Sequence, residues 1–267
     1  MASKDLNRFE NILDAYAPNK IASLVEEIGV RKANLPVLKT VVLGILAGAF
    51  IAFGAMLYTL VITDSTLGFG LTKFIGGIAF SLGLILVVIA GAELFTGNNL
   101  IVMAWANREI TTVKLFKNWS IVYLSNFIGA LMVVLAMFWS GLLEQNNAMV
   151  EETALAIASS KVNVAWHELI IRGIFCNTLV CLAVWLCLAA HDVASKILAI
   201  TFPITAFVAL GFEHSVANMY FIPLGMLLDS DISVVEFLGN LVPVTIGNII
   251  GGSVFVALVY WLVYLRD

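Results

Sequence analysis

Apolar residues fill most of this chain in six long blocks, at about 38–62, 74–104, 119–143, 169–190, 197–227 and 241–265, separated by short polar stretches. A helix needs roughly 20 residues to cross a bilayer core. The pattern therefore predicts an all-α membrane protein with six transmembrane helices. The second and fifth blocks exceed that length, and each is interrupted by the same frame, Gly-x-Glu-x-x-x-x-Asn: Gly91, Glu93 and Asn98 in one, Gly211, Glu213 and Asn218 in the other. Excess length with polar residues at its middle predicts a broken helix in each.

The two frames lie 120 residues apart. The third and sixth blocks share a second pattern, Asn118, Asn126 and Gly129 against Asn240, Asn248 and Gly251, at an offset of 122. Two patterns at nearly one offset make 37–143 and 169–265 copies of one three-helix unit. Three crossings per copy leave the copies in opposite orientation, as inverted repeats with a site near the bilayer midplane. Residues 37–267 then form one transmembrane channel domain. Residues 1–36 form a polar cytoplasmic arm, in which Ile21, Leu24, Val25 and Ile28 recur at helical spacing and predict a short amphipathic helix. The longest connection, 142–168, is expected to cap the outer face.

Composition fits lipid as the solvent. Of 267 residues 61% are apolar and 12% charged, against about 25% charged in a soluble domain. A net charge of −4, with no basic cluster, excludes a nucleic-acid partner. No secretory signal peptide is expected. Of the 14 Lys and Arg residues, all but Lys73, Lys161 and Arg172 fall on one side of the six-span arrangement, which places both termini in the cytoplasm and the chain in the inner (plasma) membrane. Cys176, Cys181 and Cys187 fit no zinc spacing, and no metal or cofactor is expected.

At bilayer depth, Glu93, Glu213 and His214 are costly unless they serve a function. His214 is the single imidazole there, and it titrates near physiological pH unless shifted; Leu94 takes its place in the first copy. The prediction is a pore with His214 and the Thr96 hydroxyl as its polar centre and proton relay, narrowed by Phe80, Leu84, Leu94, Phe95 and Phe207. Half-helix N-termini and Lys161 would attract an anion, and Asn177 would add polar lining. Gly91 and Gly211 permit the turns, Asn98 and Asn218 are expected to cap the restarted half-helices, and Glu93 and Glu213 to tie down free N–H groups. Glu213-His214-Ser215 is not a catalytic triad, because adjacent side chains do not converge on one atom, so no enzyme is expected. A neutral-solute pore of the water or glycerol type is the rival architecture, but the chain has no Asn-Pro-Ala at either break.

The motifs Ala90-Gly91-Ala92-Glu93-Leu94-Phe95-Thr96-Gly97-Asn98, Gly211-Phe212-Glu213-His214-Ser215-Val216-Ala217-Asn218-Met219 and Pro243-Val244-Thr245-Ile246-Gly247-Asn248-Ile249-Ile250-Gly251-Gly252 resemble the formate–nitrite transporter family. The resemblance covers nearly the whole chain from about residue 20. It implies an aquaporin-like protomer in a homopentamer that passes small monovalent weak-acid anions: formate first, with nitrite and hydrosulfide as alternatives. It also implies the family's pore histidine at His214, its threonine at Thr96, its vestibule lysine at Lys161 and an asparagine at Asn177. Gly97-Asn98 departs from the Ser-Thr of the bacterial formate channels, and 228–240 is shorter than their connection.

Overall fold

The computed structural model describes residues 15–228 and 231–266; the first fourteen residues of the expected arm and Asp229 lie outside it. Among the described residues five helices are long and apolar enough to cross a membrane: Val37–Ile62, Phe69–Gly91, Thr112–Trp139, Trp166–Ala189 and Val234–Tyr264. We number the α-helical segments α1 (Pro18–Ala33), α2 (Val37–Ile62), α3 (Phe69–Ile85), α4 (Val102–Ala106), α5 (Thr112–Trp139), α6 (Met149–Val162), α7 (Trp166–Ala189), α8 (Val193–Ala209), α9 (Ser215–Leu228), α10 (Val234–Ile250) and α11 (Val259–Tyr264). α3 runs on as a π-helical stretch, Leu86–Gly91, and α10 joins α11 through another, Gly251–Leu258.

The second and fifth apolar blocks each fall into two pieces. After Gly91 an extended Ala92 and an irregular stretch lead through a 3₁₀ turn, Gly97–Ile101, into α4. After α8 a short irregular stretch leads into α9. Both first pieces end alike. Gly91 and Gly211 take φ of 87° and 73°, a left-handed conformation that a Cβ disfavours. The next N–H reaches back five residues, Ala92 to Val87 O at 2.9 Å and Phe212 to Phe207 O at 3.0 Å, as in a Schellman stop.

The expected 142–168 cap is ordered as a short 3₁₀ turn, Leu142–Glu144, followed by α6. α6 and α1 turn out to be counterparts. Lys32-Ala33-Asn34 closes α1 and Lys161-Val162-Asn163 closes α6, with Asn34 and Asn163 each donating to a carbonyl four residues back, Val30 and Ser159. Helix crossings repeat as well: a Cβ at Gly129 would run into the carbonyl of Ile45, and one at Gly251 into that of Ile174. Tyr123 and Thr245, equivalent positions at the 122-residue offset, hydrogen-bond to each other at 2.8 Å. Two positions that match in the sequence pattern thus face each other across the bundle.

Candidate functional site

Backbone left open by the breaks has to be satisfied, because lipid offers no partner. One asparagine serves each break. Asn126 Oδ1 accepts from Phe95 N–H at 2.9 Å, while its Nδ2 donates to Glu93 O and Gly44 O. Asn248 Oδ1 accepts from Ser215 N–H at 2.9 Å, while its Nδ2 donates to Glu213 O and Gly173 O. The glutamates were expected in this role and do something else. Glu93 Oε1 accepts from Lys32 Nζ at 2.8 Å and its Oε2 from Asn98 Nδ2 at 2.7 Å. Glu213 accepts from Lys161 Nζ at 3.1 and 3.0 Å and from Asn218 Nδ2 at 2.7 Å. Asn98 and Asn218 are therefore not helix caps. Each donates to its glutamate and on to a second asparagine, Asn118 or Asn240, whose amide in turn donates to the carbonyl of Lys32 or Lys161.

The cap of α9 is His214 itself. Its Nδ1 accepts from Ala217 N–H at 3.1 Å. A backbone N–H can only donate, so the ring's single hydrogen sits on Nε2. Nε2 lies 2.9 Å from Thr96 Oγ1, and the hydroxyl accepts that hydrogen. The ring stacks on Phe207 at 6.0 Å between centroids, and both His214 and Thr96 are buried.

Two cavities approach this pair along α3. The first, about 410 Å³, is lined by His214, Phe80, Phe207, Lys161 and Tyr58 among others; we call it the histidine cavity. The second, about 590 Å³, is lined by Leu84, Leu94, Lys32, Glu93 and Asn98 among others; we call it the leucine cavity. Phe80 and Leu84 are one helical turn apart, about 6 Å along the axis. The wall between the cavities is correspondingly thin. Phe80 meets Phe207 edge-on at 5.7 Å, closing the histidine side.

The family model for formate/nitrite transporters matches residues 19–262. The chain belongs to the formate/nitrite transporter family. It is 42% identical to the formate channel FocA of Escherichia coli strain K12, over 97% of this chain and 98% of that protein. It is 47% identical to the uncharacterized transporter YrhG of Bacillus subtilis strain 168, over 92% and 93%. Among solved structures it resembles a pentameric formate channel with formate bound, with TM-score 0.78 and 35% identity, covering 86% of this chain and 98% of that one. The family consists of membrane transporters and channels, not enzymes.

In this formate/nitrite transporter, four of the five expected constriction residues line a cavity, Phe80 and Phe207 the first and Leu84 and Leu94 the second. Phe95 is the exception. It lines neither cavity, and its ring packs edge-on against Tyr123 at 4.8 Å and Trp119 at 6.1 Å. Asn177 also lines neither cavity. It is a buried strut whose Nδ2 reaches Thr96 O, Asn99 Oδ1 and Asn248 O, fixing the backbone of Thr96. Lys161 lines the histidine cavity, but its charge is compensated by Glu213, which weakens the anion attraction expected of it. Lys32 was overlooked in the sequence because the offset there is 129 rather than 120. The signal was the shared Lys-x-Asn triplet at the ends of α1 and α6.

Proposed function

We propose that this chain carries formate and similar small weak-acid monoanions, with nitrite and hydrosulfide as further substrates, across the plasma membrane. It does so as a homopentamer with one pore per protomer. The protomer is read as six spans in two inverted repeats, with Phe69–Ala106 and Val193–Leu228 as the broken second and fifth spans. Both termini lie in the cytoplasm, so the histidine cavity opens outward and the leucine cavity inward. The observation that carries this reading is the pair of cavities separated by an apolar wall, in which the polar atoms are those of His214 and Thr96. A bare anion entering such a wall loses several kcal/mol of hydration even when paired. A weak acid avoids that loss by crossing protonated.

The hydrogen-bond geometry narrows the role expected of His214. With Nδ1 occupied by Ala217 N–H, an imidazolium would face one donor with another. A neutral ring cannot give up its remaining proton to a carboxylate. His214 acts here as a hydrogen-bond donor: Nε2–H turns from Thr96 Oγ1 to the passing molecule, and the Thr96 hydroxyl offers a second partner. The proton itself comes from hydronium in the bathing solution, bonds to the anion as it enters, and is released to solvent on the far side.

Radiolabelled formate uptake into proteoliposomes down a concentration gradient tests both statements. Wild-type protein is expected to exceed empty liposomes at least tenfold, more so at pH 5 than at pH 7. His214→Phe, which fills the wall and removes the donor, is expected to lower flux by about 100-fold, whereas His214→Asn, which keeps an N–H donor, is expected to stay within about tenfold and retain the pH dependence. Flux equal to empty liposomes would refute transport; loss of pH dependence in His214→Asn would return the proton to the imidazole.

A further inference from the structure

The histidine cavity holds a cation that nothing above employs. Of the basic side chains in its wall, Lys161 is matched by Glu213, and Arg172 pairs with Glu168 at 2.8 Å. Lys73 has no carboxylate partner among the described residues. Its ammonium donates to the phenol oxygen of Tyr58 at 3.3 Å. An oxygen that accepts there keeps its own O–H available to donate. The Tyr58 ring cannot easily swing that O–H away. It is 7% exposed, set edge-on against Phe80 at 6.4 Å and Phe221 at 6.0 Å. The opposite side is closed by Gly76, where even a Cβ would meet the ring at 2.9 Å.

Position matters as much as charge. Lys73 lies two turns of α3 from Phe80, about 10 Å along the axis, and Tyr58 bridges the gap. An anion held by both would sit in the histidine cavity just short of the Phe80–Phe207 aperture. Both residues line that cavity. We propose that Lys73 Nζ and Tyr58 Oη form an anion-binding subsite that captures a small planar monoanion, a carboxylate or nitrite, before it reaches the wall. One anion oxygen takes an N–H from Lys73 and the O–H of Tyr58, and the other faces the aperture. Partial burial lets the unpaired ammonium act through a lower dielectric than a surface lysine. The subsite rests on the transport reading above and sets apparent affinity rather than the rate of crossing the wall.

The test is the concentration dependence of initial formate uptake in proteoliposomes, with assembly of each variant checked by gel filtration. Lys73→Met is expected to raise the half-saturating formate concentration about tenfold while maximal rate stays within twofold. Tyr58→Phe, which removes one oxygen and keeps the ring, is expected to raise it about fivefold. Lys73→Arg restores wild-type affinity to within twofold to threefold. Added inert salt raises the wild-type value toward that of Lys73→Met and leaves Lys73→Met nearly unchanged. Tyr58→Phe carries the test if Lys73→Met fails to assemble. Half-saturation within twofold of wild type in the assembled variants, or a fall in maximal rate alone, would overturn the subsite while leaving transport intact. Wild-type protein that moved no formate would overturn the transport reading itself.

Discussion

The two lysine–glutamate–asparagine clusters are built from the same parts and are not equivalent. Beside the leucine cavity, Lys32 bridges Glu93 and the Oδ1 of Asn98, at 2.8 and 2.9 Å. Beside the histidine cavity, Lys161 gives both of its bonds to Glu213, and the Oδ1 of Asn218 has no partner among the described residues. The first cluster is closed on itself. The second leaves a buried acceptor open and has a phenylalanine, Phe221, under its ammonium at 5.4 Å. The asymmetry runs in step with His214 against Leu94 and Thr96 against Val216 at the wall. Matching asparagine struts hold both breaks, and polar chemistry has concentrated beside one of them.

Removing the shared frame should hurt both halves equally and most severely. Asn126→Leu and Asn248→Leu each take the asparagine partner from one N–H and one carbonyl of a break, Phe95 and Glu93 or Ser215 and Glu213, in a dry environment, at about 1–3 kcal/mol per group. Both variants are expected to fall below a tenth of wild-type recovery from detergent-solubilised membranes. Normal recovery of either one would break the equivalence of the two copies.

Removing a glutamate charge should separate them. Lys161 is the more buried of the two lysines, with its side chain 14% exposed against 25% for Lys32, and its bonds all go to Glu213. Glu213→Gln is expected to cost about 3–5 kcal/mol, the range for stripping one partner from a buried pair. Glu93→Gln should cost less, because Asn98 Oδ1 still holds Lys32. Thermal unfolding followed by tryptophan fluorescence would read the order, and the reverse order would remove the asymmetry.

A smaller effect lies outside the pore, at Asp192, whose carboxylate accepts from the Ser195 hydroxyl at 2.6 Å and its backbone N–H at 2.9 Å. Those bonds, the hydroxyl's first, hold its pKa below the ordinary value. The stabilisation is therefore present above the unfolded pKa of about 3.9 and is lost as pH falls through the lower folded one. Asp192→Asn should lower the melting temperature slightly at pH 7 and flatten the acid limb, so that the two melting profiles converge below pH 4.

Much of this was legible in the chain. Gly91 and Gly211 mark where both helices stop, because few residues besides glycine tolerate the left-handed turn. The spacing of Asn126 and Asn248 announced a repeated strut. What the sequence withheld was direction. Within the first break the chain leaves the helix at Ala92 and turns at Phe95 and Thr96, so helical spacing no longer says which way a side chain faces. Leu94 reaches the cavity while Phe95 turns into the helix packing, where a helical count would have kept them nearer one face. Lysine partners were hidden for a different reason: 61 residues separate Lys32 from Glu93 but 52 separate Lys161 from Glu213, so unequal connections concealed equal contacts.

The paired struts at Asn126 and Asn248 carry a kinetic consequence. Each ties its break to two neighbouring helices through three hydrogen bonds, so a rocking, alternating-access cycle on the microsecond-to-millisecond scale would have to break them in each half. Ring torsions reorient within nanoseconds and touch none of those bonds. If passage follows the proposed neutral route, turnover would be governed by how often an uncharged guest arrives, and its ceiling would resemble that of a sieve more than that of a revolving door.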